Sequence, residues 1–191
     1  MLQNQGMPQV LKQFSALFLF VLLATGPAHA DARKDAFKKL GLAKLNETAP
    51  NLPFVMEGKR RELKDYFGKP ILLHLWATWC TSCQKEIPGL KKLEQSGQKR
   101  QIVFLPIAVD EEKNAEQVKK FLDRLPVSKG SIKGSIAIPG EALKTYQTWG
   151  IPVTYFIDSS GKVIARAMGA RDWSGVPDLE QLLDQIFKTD K

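Results

Sequence analysis

The chain alternates between short, almost continuous apolar runs and longer segments in which apolar residues recur every three or four positions. Residues 71–76 and 102–109 are apolar runs of the kind that forms strands covered on both faces. From Cys80 to Gly97, between these runs, the apolar residues follow helical spacing. The order strand, helix, strand predicts two parallel neighbours in one sheet, joined by a helix that packs on it.

The second half of the chain predicts further helices and a strand hairpin. Residues 153–157 and 163–167 are the hairpin strands, because a turn sequence lies between them at residues 158–161. A segment rich in Gly, Ser and Lys, residues 126–139, surrounds one further short strand at residues 135–138. The predicted helices cover residues 114–125, 141–149 and 179–187.

The segment before the first apolar run has two parts. Residues 32–45 combine lysines with apolar residues at helical intervals, which predicts a short amphipathic lead-in helix. Residues 54–63 have the pattern of a small hairpin around a turn at residues 57–59. Together the elements describe one α/β domain, with a central mixed sheet flanked by helices and an N-terminal β-hairpin extension.

The first 30 residues have the pattern of a secretory signal peptide. An apolar stretch at residues 14–24 follows Lys12 and precedes the small-residue sequence Ala28-His29-Ala30. The stretch is shorter than the ~20 apolar residues of a membrane span, and an uncleaved anchor is the alternative. We therefore expect a signal peptide at residues 1–30, a lead-in helix at 31–48 and the main domain at 49–191. Export would place that domain in an oxidising compartment.

Composition narrows the classes of protein. With 191 residues, of which 43% are hydrophobic, the chain is long enough for one core. The formal net charge is +8, but the basic residues are scattered among acids, so we expect a solvated basic surface and no nucleic-acid interface. Two cysteines are too few for a four-ligand zinc site unless distant carboxylates or histidines assist. Cleavage of the leader would remove His29 and leave His74 as the one histidine, so we expect no metal.

The two cysteines carry the candidate chemistry. Cys80 and Cys83 stand where the first apolar run gives way to the predicted helix. At a helix N-terminus, unpaired N–H groups and the helix dipole stabilise a thiolate, so we expect Cys80 to be the nucleophile. Cys83, one turn inside the helix, is expected to be more buried and to resolve a mixed disulfide. A structural bridge and half of a metal site are the alternatives.

Several motifs together resemble the thioredoxin superfamily. Trp-Cys-x-x-Cys at residues 79–83 is followed by Pro88, and Ile151-Pro152 precedes a predicted strand, as the cis-proline loop does in that superfamily. The leader, the sequence around the cysteines and the pattern at residues 157–169 resemble its exported TlpA/ResA/CcmG-like branch. The resemblance covers essentially the whole main domain.

The resemblance implies a site as well as a thioredoxin-like fold. Pro88 would kink the helix that carries it. A cis peptide bond at Pro152 would leave the Ile151 backbone free to pair with an extended substrate segment, and Trp79 would offer a flat apolar docking surface. An ordinary trans proline at position 152 and a helix that ends before Pro88 are the alternatives.

Glu86 and His74 are two further candidates, each with an alternative. Glu86 lies one turn beyond Cys83. The matching glutamate of the ResA-like branch is implicated as a proton partner or in shaping the recognition cleft. A solvated surface acid is the alternative. His74 stands six residues before Cys80, where thioredoxins carry a buried aspartate. It would act as a base toward Cys83 or, if charged, stabilise the Cys80 thiolate, and a neutral core histidine is the alternative.

Two tryptophans and a run of three acids are expected to be structural. We expect Trp149 and Trp173 to pack in the core. The acids at residues 110–112 precede a predicted helix, so we expect them to cap it and to favour its dipole rather than to bind a metal.

We expect an exported thiol:disulfide oxidoreductase that uses the Cys80–Cys83 dithiol and needs no nicotinamide, flavin or metal cofactor. The resemblance implies a periplasmic reductant, free or attached to the inner membrane. It would receive electrons from a membrane thiol-disulfide transporter and reduce apocytochrome c or a copper-site protein. The direction is open, because dithiol proteins of this fold span about −270 to −120 mV. A periplasmic dithiol oxidase is the first alternative, and a Cu(I)-binding or protein-interaction module is the second.

Overall fold

One mixed sheet organises the part of the chain that the computed structural model describes, which is residues 26–123, 135–137 and 140–188. Its strands are β1 (Ala43–Thr48), β2 (Pro53–Met56), β3 (Lys59–Glu62), β4 (Ile71–Trp76), β5 (Val103–Ala108), β6 (Ser135–Ala137), β7 (Val153–Ile157) and β8 (Lys162–Met168). The helices are α1 (Gly26–Lys39), α2 (Thr81–Gln98), α3 (Ala115–Asp123), α4 (Glu141–Thr145) and α5 (Leu179–Phe187). Across the sheet the strands lie in the order β1-β8-β7-β4-β5-β6-β2-β3.

The centre of the sheet holds the parallel pair that the apolar runs predict. β4 and β5 are parallel in the register Ile71↔Val103 to Trp76↔Ala108, and β7 lies antiparallel on the other side of β4. Every residue of β4 is buried, because packed side chains cover both faces of the sheet. The predicted α/β domain with a central mixed sheet is confirmed.

Alternation along β4 assigns its side chains to two cores. Leu72 and Trp76 pack in the cluster that contains Cys83 and apolar residues of α1, α2 and α5. The odd-numbered residues of β4 pack in a second cluster on the opposite face. Because side chains on a strand alternate between faces, His74 belongs to the face of Leu72 and Trp76. The cysteines and His74 therefore lie on the same side of the sheet.

The N-terminal segment differs from its prediction. α1 ends at Lys39 and the chain then forms β1, antiparallel to β8, whereas the sequence pattern predicted a helix as far as residue 45. Gly41 takes a φ of +54°, and the N–H groups of Gly41 and Leu42 bond back to the carbonyls of Lys38 and Phe37. The left-handed glycine ends the helix, and the edge of β8 then offers hydrogen-bond partners that turn the remaining residues into a strand.

The predicted leader lies almost wholly beyond the described residues. α1 begins at Gly26, before the predicted cleavage point after Ala30, and the apolar stretch at residues 14–24 lies outside the described residues. The division of the chain at residues 30 and 48 stays a prediction. Among the helices of the described ranges, none has both the length and the apolar character needed to cross a bilayer.

The hairpin at the start of the main domain belongs to the sheet. β2 and β3 are antiparallel around a turn in which Glu57 and Gly58 both have positive φ. β2 also pairs with β6, which covers three of the four residues predicted at 135–138. The segment before β6, residues 126–134, lies outside the described residues. The hairpin thus extends the sheet at its β6 side.

α4 is shorter than the helix predicted at residues 141–149. It ends at Thr145, because Gln147 takes a φ of +44° and the N–H of Thr148 bonds to the Leu143 carbonyl at 3.0 Å. The chain leaves the helix there and runs through residues 149–152 into β7. This early end frees the segment before β7 to approach the start of α2.

Candidate active site

The two cysteines lie at the corner where β4 gives way to α2. They are joined as a disulfide with Cα atoms 5.2 Å apart. Cys80 is the N-cap residue of α2, and its sulfur accepts the N–H of Cys83 at 3.2 Å. Cys80 is 7% exposed and Cys83 is fully buried, which is the order of exposure that the sequence predicts. An incoming thiol can therefore reach Cys80 more readily than Cys83.

The surroundings of the Cys80 sulfur are polar but neutral. Besides the N–H of Cys83, the hydroxyl of Ser82 lies 3.2 Å from it and the carbonyl oxygen of Ile151 lies 3.7 Å from it. In the reduced protein the N–H and the hydroxyl can donate to a thiolate, and the start of α2 adds the positive end of its dipole. These groups favour the ionised form of Cys80 without a neighbouring cation in contact with the sulfur.

The loop before β7 meets the cysteines across the fold. The Ile151–Pro152 peptide bond is cis, and the contact between Ile151 and the Cys80 sulfur joins residues 71 positions apart. α2 also continues through Pro88, as the family resemblance implied. The cis form of Pro152 and the helical position of Pro88 are confirmed. Both prolines thus stand where a thioredoxin-like site has them.

A groove of about 720 Å³ opens beside the Cys80 sulfur. Its walls come from the start of α2 and from residues 143 and 148–151, and Lys85 contributes a cation to its rim. Trp79 is 66% exposed and Trp149 is 90% exposed, and both line the groove. The prediction that Trp149 packs in the core is wrong, because the turn at Gln147 ends α4 early and carries the indole outward. Two exposed indoles therefore flank the reactive sulfur.

Asp110 braces the loop that leads to Cys80, a role that the sequence analysis missed. Its buried carboxylate accepts the Thr78 backbone N–H at 3.0 Å and also the Thr78 hydroxyl. The predicted helix-capping role of Asp110 is wrong, since Glu111 is the N-cap residue of the next turn and its side chain makes no capping bond. The signal that could have revealed this role is the position of Asp110 two residues after β5, at the same sheet edge as the end of β4.

Glu86 is buried in spite of its charge. It is 3% exposed, its Oε1 atom accepts the indole N–H of Trp173, and its Oε2 atom is buried without a hydrogen-bond partner. Burial raises the pKa of Glu86 to about 7, and the Trp173 bond and the positive charge of Arg171 oppose that rise. The alternative of a solvated surface acid does not fit this environment. A carboxyl that titrates near neutral pH suits proton transfer, which is the role the resemblance implies.

Trp173 reaches Glu86 because Gly89 lets its loop approach α2 closely. A Cβ atom at position 89 would lie 3.0 Å from the Trp173 backbone nitrogen and 3.2 Å from that of Ser174. Trp173 is fully buried, as predicted, and its indole N–H serves the carboxylate as well as the core. The loop after β8 is thus part of the site.

His74 is buried on the sheet face that α2 covers. Its Nδ1 atom lies 3.0 Å from the hydroxyl of Thr154 on β7, and its Nε2 atom has no hydrogen-bond partner. Burial lowers the pKa of His74 to about 3, so the imidazole is neutral at ordinary pH. This environment fits the neutral core alternative and disfavours a charged imidazole that stabilises Cys80. A role as a base toward Cys83 stays a prediction.

Metal ligands do not gather in the described part of the chain. No group of three or more His, Cys, Asp or Glu side chains there could hold a metal ion. The acids after β5 are accounted for by the contacts of Asp110 with Thr78 and by the ion pair of Glu111 with Lys113.

Known proteins resemble the chain in sequence. The model of the AhpC/TSA family matches residues 45–166. The thiol-disulfide oxidoreductase ResA of Bacillus cereus is 32% identical over 171 residues, which are 88% of this chain and 93% of that protein. The thioredoxin-like protein YneN of Bacillus subtilis is 26% identical over 155 residues, 81% of this chain and 88% of that protein.

Solved structures resemble the chain in fold. A thiol:disulfide interchange protein of the thioredoxin family from Chlorobium tepidum superposes with a TM-score of 0.58 at 24% identity, over 76% of this chain and 99% of that one. A thiol:disulfide interchange protein from Bacteroides sp. gives a TM-score of 0.59 at 22% identity, over 76% of this chain and 91% of that one. The thioredoxin-like fold is confirmed. Since the family model covers more than half of the chain and ResA aligns along most of it, the chain belongs to the AhpC/TSA family and is a thiol-disulfide oxidoreductase of the ResA type.

Proposed function

We propose that this oxidoreductase is a periplasmic reductant of disulfides in other proteins. The observation that carries the proposal is the position of Cys80, whose sulfur lies 3.7 Å from the Ile151 carbonyl and which lines a groove together with two exposed indoles. An extended polypeptide laid along the residues before Pro152 would bring its own disulfide to Cys80. The substrates we propose are apocytochrome c or a copper-site protein, and the electron donor is a membrane thiol-disulfide transporter.

The reaction follows from the difference between the two sulfurs. The Cys80 thiolate attacks one sulfur of the substrate disulfide, forms a mixed disulfide, and releases the other substrate sulfur as a thiolate that takes up a proton. Cys83 then loses its proton and attacks the Cys80 sulfur, which releases the second substrate thiol. The substrate gains two electrons and two protons, and the protein is left with the Cys80–Cys83 bond, which the donor reduces again.

Glu86 is proposed as the proton acceptor for Cys83. It lies one helical turn beyond Cys83 on the buried side of α2, and its pKa of about 7 lets it be partly ionised at neutral pH. A partly ionised carboxylate near the start of α2 also works against a strongly stabilised thiolate. Together with the neutral contacts of the Cys80 sulfur, this supports a reducing rather than a strongly oxidising couple.

The reduction potential of the Cys80–Cys83 couple tests the direction. It is measured by equilibration with glutathione and with dithiothreitol, with the oxidised and reduced forms separated by thiol alkylation. A value near the −270 mV end of the range of this fold supports a reductant. A value near −120 mV would contradict the proposal and assign the protein as a dithiol oxidase.

Trapping tests the partners and the compartment. A Cys83→Ser variant keeps the nucleophile but cannot resolve its mixed disulfide, so expressed in a bacterium with its leader intact it should accumulate bound to its substrates. The matched control is Cys80→Ser, which should trap none of them. Recovery of c-type apocytochromes or copper-site proteins from the periplasmic fraction supports the proposal. Retention of the variant in the cytoplasm would refute the proposed localisation.

A further inference from the structure

Arg171, in the loop after β8, touches two distant parts of the fold. Its guanidinium donates to the carbonyl oxygens of Leu40 at 2.6 Å and Gly41 at 3.0 Å, at the end of α1. These carbonyls follow the last turn of the helix, where backbone acceptors lack helical partners and the dipole favours a cation. Arg171 therefore caps the C-terminal end of α1.

The same residue faces the buried carboxyl of the site. Arg171 lies two positions before Trp173, whose indole donates to Glu86, and the backbone of Arg171 also faces that carboxylate. The Nε atom of Arg171 is buried without a hydrogen-bond partner, as is Oε2 of Glu86. The charges of the two side chains interact, and each favours the ionised form of the other.

Gly41 lies directly against the guanidinium of Arg171. With its φ of +54°, Gly41 takes a conformation that other residues adopt only under strain. A Cβ atom on Gly41 would lie 3.2 Å from the Nη1 atom of Arg171 and would push against the guanidinium. The end of α1 and the charge beside Glu86 are thus held by one set of contacts.

We propose that Arg171 is a positioning residue that joins the docking of α1 to the ionisation of Glu86. With α1 docked, its terminal carbonyls hold the guanidinium near the carboxyl and favour the carboxylate. With α1 undocked, the guanidinium turns to solvent and the buried carboxyl keeps its proton to higher pH. The inference rests on the proposed function in one respect, since the proposed function gives the ionisation of Glu86 its role in catalysis. It makes α1, which begins within the last residues of the predicted leader, a regulator of the redox pair.

The other ionisable groups around Glu86 act differently. On α2 itself, Cys80 and Cys83 do not titrate while they are disulfide-bonded, and Lys85 is exposed in the groove. In the loop after β8, Asp172 is exposed and accepts hydrogen bonds from the backbone N–H groups of Ser174 and Gly175.

The sheet and α1 contribute one further group each. On the sheet, His74 is neutral. On α1, the guanidinium of Arg33 lies 5.8 Å from the ring centre of Phe37. Arg171 is the charge that acts on the pKa of Glu86.

The test follows the Glu86 carboxyl directly, by ¹³C NMR titration of the oxidised full chain, with Glu86→Gln to assign the resonance. Arg171→Met should raise the pKa of Glu86 by roughly one unit, the low end of what a nearby opposite charge contributes. Arg171→Lys keeps the charge and should hold the pKa within about half a unit of the wild type. Arg100→Met is the matched control, because it removes an arginine that pairs with Glu180 and Asp184 on α5.

Gly41→Ala tests the link to α1 without changing a charge. It should raise the pKa of Glu86 in the same direction, and it should add nothing further in the Arg171→Met background. An unchanged pKa in Arg171→Met overturns the inference, and so does an unchanged pKa in Gly41→Ala. If Arg171→Met does not fold, Arg171→Lys and Gly41→Ala decide the matter by the same criteria.

A second readout separates the inference from the proposed function. The pH dependence of the Cys80–Cys83 reduction potential should shift along with the pKa of Glu86 in Arg171→Met and in Gly41→Ala. If the NMR titration shifts and this pH dependence does not, the link between α1 and Glu86 is supported and the proton role of Glu86 is refuted. A merely structural loosening would let water reach Glu86 and lower its pKa, which is opposite to the rise expected in these variants.

Discussion

Replacement of Glu86 by glutamine should remove the loss of stability that this carboxyl causes as the pH rises from 4.5 to about 7. In the folded protein burial raises the pKa of this carboxyl from 4.5 to about 7. Below pH 4.5 the group is protonated in both the folded and the unfolded chain, and it costs nothing. As the pH rises from there, the unfolded chain ionises first, which favours unfolding until the folded form also ionises near pH 7.

The size of this effect follows from the two pKa values. Each unit of difference corresponds to about 1.4 kcal/mol, so a rise from 4.5 to about 7 removes about 3 kcal/mol of unfolding free energy by pH 8. Glu86 is only 3% exposed, so solvent screening does not reduce this value much. For a protein of marginal stability, such a loss is a large fraction of the total.

The assay is urea denaturation of the oxidised wild type and of Glu86→Gln between pH 4 and 8.5. The unfolding free energy of the variant minus that of the wild type should rise by about 3 kcal/mol across this range, most of it between pH 4.5 and 7. His74 adds an opposite slope, since burial lowers its pKa to about 3 and the unfolded chain protonates first as the pH falls. That slope is common to both proteins and cancels in the difference. The Arg100→Met variant, with Glu86 kept, serves as a control for the removal of a charge elsewhere.

A difference in unfolding free energy that stays constant with pH would refute the reasoning. It would mean that the carboxyl titrates at the same pH in the folded and unfolded chains, and hence that water reaches it. A difference that falls as the pH rises would have the sign of a lowered pKa and would contradict the raised pKa of Glu86. Either outcome would also remove the basis for a Glu86 carboxyl that exchanges protons near neutral pH.

Three further predictions concern groups around the sulfurs. Asp110→Asn weakens the charge-assisted bonds to Thr78 and should lower the unfolding free energy by about 2 kcal/mol. Glu111→Gln is the control, and a loss under about 0.5 kcal/mol in Asp110→Asn would contradict the prediction. Trp149→Ala should slow the reduction of a protein disulfide. Because the indole is 90% exposed, the unfolding free energy should stay within about 0.5 kcal/mol of the wild-type value. An equal loss of rate with a small disulfide substrate would refute a docking role. His74→Asn should leave the pH profile of the reduction potential unchanged above pH 6, since the histidine is neutral there, and a changed profile would make it a base.

The sequence predicted the centre of the fold well, because the strongest local signals coincide there with the tertiary structure. β4, β5 and α2 carry unbroken apolar patterns, and the cysteines mark the corner between a buried strand and a helix. The prediction was wrong at residues 43–45, where a helical pattern competes with the free edge of β8. Strand pairing depends on residues far away in the sequence, and a local pattern does not contain them.

The site was predicted in part for the same reason. Cys80, Cys83 and Pro152 belong to motifs that resemblance can identify, and the structure brings Ile151 to 3.7 Å from Cys80. Asp110 carries a local signal that points to helix capping and Arg171 carries none, whereas their observed partners lie 32 and 131 positions away in the sequence. Polar side chains that hold distant backbone groups become visible only once the chain is folded.

These distant contacts have a common consequence for the redox pair. Asp110 fixes the loop before Cys80 from β5, Trp173 holds Glu86 from the loop after β8, and Arg171 ties that same loop to α1. The surroundings of the two sulfurs are held by a few short contacts from the loop after β5 and the loop after β8. Dithiol proteins of one fold differ widely in potential although their cysteines are the same, so the difference must come from groups around the cysteines. We infer that the buried carboxyl of Glu86 and the arginine that acts on its pKa are among those groups in this protein. Since the arginine also caps α1, we expect the potential to depend on how the N-terminal helix is docked.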